Sequence, residues 1–222
     1  MIIGIDTSTN FLKLGVFEKE VISELVLNVR DSHTKHLLNS LNFILASNRI
    51  DREQIEAFGV IVGPGSFTGL RIGLATVIGI AAAWGTPIHP LISGDIVWRA
   101  NLKEIETEHF FYLLDGKRRE LFLFHYIRAT NGFSLSSEVE SMSYKEAFLE
   151  ITRRRKGGVT IAGEGIDILK KEGFIFSDKH KLIDKPYNGY SGGDIARFTM
   201  AASTGPVKNP EPLYIRDADI RT

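Results

Sequence analysis

The stretch GPGSFTGLRIG, from Gly63 to Gly73, joins the seven-residue apolar run AFGVIVG (Ala57–Gly63) to a long apolar segment ending at Trp84. A short run rich in β-branched residues predicts a buried strand, and the segment from Gly69 to Trp84 predicts a helix stopped by Gly85, Thr86 and Pro87. Strand, glycine-rich turn and helix in that order build a sheet with crossover helices. Two readings of the turn are open. It is a structural corner in which glycine admits a close backbone, or it is an anion site in which free amides and the positive end of the helix dipole face a phosphate. The phosphate-loop pattern G-x-x-x-x-G-K-[ST] is not matched, and G-x-G-x-x-G fails because Thr68 occupies its third glycine position. Ser66 and Thr68 read as helix caps, since no histidine or lysine lies near them in sequence to act as base.

Upstream, IIGID (Ile2–Asp6), a TSTN turn, FLKLGVF (Phe11–Phe17) and VISELVLNV (Val21–Val29) predict a three-stranded antiparallel meander. Ser32 is placed to cap a helix that carries Leu37, Leu38, Leu41, Ile44 and Leu45 at helical spacing and stops at Asn48. A short strand IHPLI follows the second helix. The second half starts the same pattern again: HFFYLLD (His109–Asp115), a GKRR turn, LFLFHYI (Leu121–Ile127) and a weaker strand near residues 133–140. Then come a helix around Tyr144–Arg155, the strand VTIAG (Val159–Gly163), a helix around Ile166–Glu172 and a last helix Ser191–Ser203 opened by a Ser191/Asp194 capping box. The tail PVKNPEPLYIR, with three prolines, is expected to be extended. The expected domains are a first lobe 1–100 joined by the helix 191–203, a second lobe 101–190, and a tail 204–222.

The 222 residues, 43% of them hydrophobic, provide for a sizeable core, and the chain has no cysteine for disulfides, thiol catalysis or Cys-ligated metal. Lys and Arg total 27 against 27 Asp and Glu, which argues against a protein whose main task is to neutralise a nucleic-acid backbone. The start MIIGIDTS lacks a basic leader region and reads at once as a strand, so a cytoplasmic location is expected.

Two tandem units of meander plus crossover helices are the layout of the actin-like ATPase superfamily. MIIGIDTS, GPGSFTGLRIG, DGKRRELF (Asp115–Phe122) and PLYIR near the C-terminus together resemble the bacterial TsaB (YeaZ) family over nearly the whole chain. The resemblance implies an α/β fold of two tandem ribonuclease-H-like lobes with mixed sheets. It also implies a non-catalytic subunit that works with a TsaD-like catalytic subunit and a TsaE-like ATPase to install threonylcarbamoyl on a tRNA adenosine. It implies pairing through the first two helices, as a homodimer when alone or with the TsaD-like partner. On this chain those helices carry Leu37, Leu41, Ile44, Gly69, Arg71, Gly73, Thr76, Val77 and Ile80.

The residues bear on that picture independently. An actin-like phosphate hairpin resembles D-x-G-T, but here Asp6-Thr7-Ser8-Thr9 has Ser8 in the glycine position, and Asp115-Gly116-Lys117-Arg118 also departs from the pattern. Asp6, Gly65, Ser66 and Thr68 are the candidate anion or nucleotide contacts, with no tightly bound cofactor expected and a nucleotide expected only at a partner interface. In TGLRIGLATVIGIAAAWG the only charge is Arg71, so the helix needs cover on a second side. Gly69, Gly73, Thr76, Gly79 and Ala83 form a stripe of small residues that a helix of a partner, or of the same lobe, could approach. A membrane span is the rival reading, but the run falls short of the roughly 20 strongly apolar residues needed. His33 and His36 lack a third metal ligand and a general base, and read as capping or solvated residues. The basic clusters Lys117–Arg119 and Arg153–Lys156 read as solvated surface, one of which could meet tRNA in a complex. The alternatives are an ATP-dependent small-molecule kinase and a metallopeptidase; each lacks required residues in this chain.

Overall fold

The computed structural model describes residues 1–29, 33–154, 156–201 and 205–215. Ser32, expected as a cap, Arg155, in an expected basic cluster, and Ser203, the expected end of the last helix, lie outside the described residues. The chain divides into two compact units, Met1–Ile96 with Ser191–Tyr214, and Val97–Tyr190.

In the first unit the apolar runs fold as β1 (Ile2–Asp6), β2 (Phe11–Phe17), β3 (Val21–Asn28), α1 (His33–Ser47), β4 (Ala57–Gly63), α2 (Phe67–Trp84) and β5 (Ile88–Ile92), with α3 (Ser93–Ala100) leading on. β1, β2 and β3 are an antiparallel meander, β4 runs parallel to β1 and β5 parallel to β4, so the sheet order is β3-β2-β1-β4-β5. Ile3, Ile5, Leu12, Leu14 and Val16 point from one face into a core closed by Leu37, Leu41, Ile44 and Leu45 of α1 and by Leu74, Val77 and Ala81 of α2.

The second unit repeats the plan with β6 (His109–Lys117), β7 (Glu120–Ala129), β8 (Gly132–Leu135), β9 (Glu140–Ser143), α4 (Tyr144–Thr152), β10 (Val159–Ala162), α5 (Gly165–Lys171) and β11 (His180–Ile183). Its sheet order is β11-β10-β6-β7-β8, with β6 and β7 antiparallel and β10 parallel to β6. The single strand expected at 133–140 is two short ones: β8 pairs with residues 126–129 of β7 and β9 with residues 120–123. Phe111, Leu113, Leu121 and Leu123 pack under Ala147 and Ile151 of α4 and Ile166 and Leu169 of α5. His125 joins that face, stacked on Phe111 with ring centres 4.4 Å apart. One of its nitrogens, Nε2, lies 3.1 Å from Nδ1 of His109, and the other, Nδ1, lies 2.7 Å from Oγ of Ser136. Burial, reinforced by Arg154 and His109, lowers the His125 pKa from 6.5 to about 4, against the opposing pull of Glu150.

The last helix, α6 (Gly192–Phe198), is shorter than expected and continues as a single 3-10 turn, Thr199–Ala201. It opens with the Ser191/Asp194 capping box and lies on β1 and β2, on the sheet face opposite α1 and α2. Gly4 and Gly15 are register partners, and a Cβ on Gly15 would stand 2.1 Å from the carbonyl carbon of Gly192, so helix and sheet meet backbone to backbone. With cover on both faces, β1 and β4 are buried throughout, which is why they read as unbroken apolar runs. The tail then runs back over the same unit, with the Val207 amide donating to Ile88 O at 2.8 Å and the Leu213 amide to Val62 O at 2.7 Å.

α2 starts two residues earlier than the sequence suggested, with Ser66 Oγ accepting from the Gly69 amide, and ends at Gly85 in the left-handed region, φ 71°. By length and composition alone it could cross a membrane, yet Leu70, Leu74, Val77 and Ala81 bury one face of it in its own unit. Gly69 and Gly73, expected at a partner interface, lie on that inner face. A Cβ on Gly73 would stand 2.2 Å from Oγ1 of Thr7, whereas one on Gly79 would meet nothing within 4 Å. Leu37, Leu41, Ile44 and Val77 are likewise core residues of the unit, none more than 2% exposed. The small stripe expected to face a partner is therefore split, because its first two members exist to admit the β1–β2 turn.

Gly73→Ala should accordingly destabilise the chain by about 1–3 kcal/mol through overpacking against Thr7. Gly79→Ala should stabilise it by about 0.8–1 kcal/mol through helix propensity. Denaturant titrations read both, and shifts of the same sign would contradict this placement. A second expectation concerns pH. Because folding holds the His125 pKa at about 4 against an ordinary 6.5, the unfolded chain takes up this proton first as pH falls, and stability is lost between those values. His125→Phe, which keeps a ring on Phe111, should flatten the decline between pH 6.5 and 5; an unchanged profile would contradict the assignment.

Candidate functional site

The glycine-rich corner and the β1–β2 turn form one joint. The Ser66 amide donates to Ser8 O at 2.7 Å, and Thr7 Oγ1 donates to Gly69 O at 2.8 Å. A Cβ on Gly65 would stand 2.2 Å from Ser8 O, and one on Gly69 would stand 2.1 Å from Thr7 O. The Ser66 amide, one of the donors an anion at this helix start would use, is taken by the chain's own hairpin. Glycine is needed here for close approach, as the structural-corner reading of GPGSFTGLRIG requires. His33 extends the joint: it is buried, and its Nε2 lies 2.8 Å from Thr9 O, tying the start of α1 to the same turn, while His36 is exposed.

Asp6 ends β1 with its side chain fully buried. Its Oδ1 accepts from the Ser8 amide at 2.7 Å, and its Oδ2 lies 3.3 Å from Nζ of Lys13, whose side chain is also fully buried. Asp6 and Lys13 are direct register partners across β1 and β2. A buried carboxylate that coordinates a metal or its waters needs its charge available; here an ammonium stands beside it and a backbone amide holds its other oxygen. Ser8, in place of a glycine, is buried too. Among the described residues, no group of three or more His, Asp or Glu side chains is gathered as a metal ion would require.

The matching turn of the second unit is built differently. Asp115 Oδ1 accepts from the Lys117 amide at 2.8 Å, and its Oδ2 lies 2.7 Å from Lys117 Nζ. The Asp115 amide donates to Glu164 Oε1 at 3.2 Å. Both first-strand aspartates are thus engaged by a lysine and by a backbone amide two residues on.

Of the remaining candidates, Ser66 and Thr68 are exposed at the start of α2 and Gly65 is half-buried. Arg71 is exposed, but it is held within its own unit: its guanidinium lies 3.8 Å from the centre of the Phe67 ring, and Nε donates to Tyr214 Oη at 3.0 Å. Tyr214 in turn stacks on Phe67 at 4.9 Å. Thr76 and Ile80 stay at the surface, half-buried. Sequence reasoning missed Lys13, Tyr214 and the His109–His125 pair. The signal for Lys13 was present, as the one charge in an otherwise apolar strand lying opposite Asp6 in the hairpin.

The family model described as "TsaD: tRNA N6-adenosine threonylcarbamoyltransferase" matches residues 20–191. The chain is 24% identical to the tRNA threonylcarbamoyladenosine biosynthesis protein TsaB of Escherichia coli (strain K12), over 97% of this chain and 94% of that protein. It is 21% identical to the protein of the same name from Buchnera aphidicola subsp. Schizaphis graminum, over 82% of this chain and 87% of that one. Among solved structures, YeaZ from Pseudomonas aeruginosa superposes with a TM-score of 0.75 at 19% identity, covering 96% of this chain and 98% of that chain. The two mixed-sheet lobes are therefore the tandem ribonuclease-H-like units of an actin-like fold. The chain belongs to the TsaD family, and within it is similar to the TsaB (YeaZ) proteins.

Proposed function

We propose that this chain is the non-catalytic scaffold subunit in tRNA threonylcarbamoyladenosine biosynthesis, pairing with and positioning a TsaD-like catalytic subunit. The observation that carries the reading is the buried Asp6–Lys13 pair at 3.3 Å, in the hairpin where an actin-like phosphate site would need a free carboxylate. Ser8 beneath Gly65, and the hairpin carbonyls against the glycines of α2, support it further. The same features weigh against the small-molecule kinase, and the lack of a gathered ligand set among the described residues weighs against the metallopeptidase.

Pairing is supported by what α1 and α2 leave uncovered. Leu38 is 50% and Phe43 63% exposed on α1, and α2 presents Ala75, Gly79, Ala82 and Ala83 outward beside half-buried Ile72, Thr76 and Ile80. Small side chains at three- and four-residue steps let a partner helix come close, and a large exposed aromatic supplies an anchor. The same face would serve a homodimer when the chain is alone. In the complex the chain would help to form the binding surface for a TsaE-like ATPase and would meet tRNA, any nucleotide would sit at a partner interface, and the setting would be the cytoplasm.

Phe43→Asp should leave a folded chain and weaken association with the TsaD-like partner by about 30-fold or more, the loss of one aromatic anchor of at least about 2 kcal/mol. Analytical ultracentrifugation of the mixture checks this, and undiminished association would remove α1 from the interface. The isolated chain should not hydrolyse ATP; turnover that disappears in Asp6→Asn would overturn the non-catalytic reading.

A further inference from the structure

We propose that the β6–β7 turn, Lys117-Arg118-Arg119, is a contact for RNA backbone phosphates. The starting observation is conformational. These three consecutive residues have φ of 61°, 53° and 63°, and none is glycine. Left-handed backbone is unfavourable for an L-residue with a Cβ. Two-residue hairpin loops of this twist favour Asn-Gly or Asp-Gly, which tolerate positive φ far better. A sequence that places Lys-Arg-Arg in such a turn retains strain that a common alternative would relieve. Retained strain of this kind concentrates at ligand clamps and other functional positions.

Carboxylates hold two of the three basic side chains of the turn. Lys117 and Arg119 are 68% and 74% exposed although each is paired, Lys117 with Asp115 and Arg119 with Glu172. Exposed pairs of this sort contribute little stability, so they do not account for the strain. Their effect is to orient donors that still have N–H groups to offer, since a lysine carries three and an arginine five. The Arg119 guanidinium also lies 5.6 Å from the ring centre of half-buried Tyr144, which further restricts where it points. At the end of α5, Lys170 and Lys171 add exposed positive charge on the element that supplies Glu172. A chain of zero net charge has no long-range attraction for RNA, so contact must be local, through a stiff basic point of this type. The choice of RNA over another polyanion rests on the proposed role in tRNA modification.

The test is fluorescence anisotropy of a labelled, unmodified tRNA transcript with the full chain, over monovalent salt from about 20 to 200 mM. Weak binding by the unaltered chain is expected, and no binding at the lowest salt overturns the proposal. Lys117→Gln with Arg118→Gln should reduce the slope of log affinity against log salt by about 1.5, the share of two phosphate contacts. Arg118→Asn with Arg119→Gly should raise the thermal midpoint by relieving the turn while weakening tRNA binding, a pairing of effects that a purely structural turn would not give. Arg118→Lys with Arg119→Lys should keep most of the affinity. An unchanged salt slope in the first variant overturns the proposal, and so does displacement by poly-glutamate as effective as by tRNA, which would make the tip a site for acidic proteins. Association with the TsaD-like partner, measured on the same variants, should be unaltered, so failure here leaves the scaffold reading standing and failure there is seen separately.

Discussion

The contact on which the first lobe depends is the buried pairing of Asp6 with Lys13, 3.3 Å apart on the two strands of the opening hairpin. A buried carboxylate and ammonium are each costly to desolvate, and removing one partner of such a pair typically costs about 3–5 kcal/mol. The pair joins register partners of β1 and β2, and Asp6 also accepts from the Ser8 amide at the end of β1. The turn so shaped presents the carbonyls of Thr7 and Ser8 to α2, and the glycines at 65, 69 and 73 leave room for them. One interaction thus links a strand register, a turn and the seat of a helix.

The two lobes share a plan but use the equivalent hairpin differently. In the first, the lysine stands on the return strand, inside the sheet, and the turn is covered by α2. In the second, the lysine follows Asp115 by two residues, stays exposed, and begins a turn whose residues have positive φ. A buried ion pair contributes rigidity, whereas the exposed basic turn carries its charge, paired with carboxylates, at the surface. The equivalent hairpin is thus a structural joint in one lobe and a surface feature in the other.

Much of this was legible in the residues. The apolar runs that end in Asp6 and Asp115 and the glycine turn into α2 specify the strands and crossovers, because short β-branched runs and a helical apolar segment cannot exchange roles. The Ser66 and Ser191 caps were legible for the same local reason. What was not legible came from tertiary context. The stripe of small residues on α2 is compatible with two faces, and only the position of the β1–β2 turn decides that Gly69 and Gly73 point inward while Gly79 points out. Leu37, Leu41 and Ile44 have the spacing of a contact face, but that face is turned to the sheet, and the surface residues are their neighbours Leu38 and Phe43. The division of one expected strand into β8 and β9 depends on both sharing the outer edge of β7, which no local pattern encodes.

A double-mutant cycle on Asp6 and Lys13 measures how far the opening hairpin depends on the buried pair. Asp6→Asn should cost about 3 kcal/mol or more of folding stability, because the carboxylate beside a buried ammonium is gone while the acceptor for Ser8 remains. Lys13→Met should cost a similar amount. The double variant should recover most of that loss, since neither buried charge is left without the other, giving a coupling energy well above the few tenths of a kcal/mol expected of independent sites. Additive losses, or an Asp6→Asn variant as stable as the unaltered chain that has lost binding of a magnesium nucleotide, would show that Asp6 serves a ligand and not the fold.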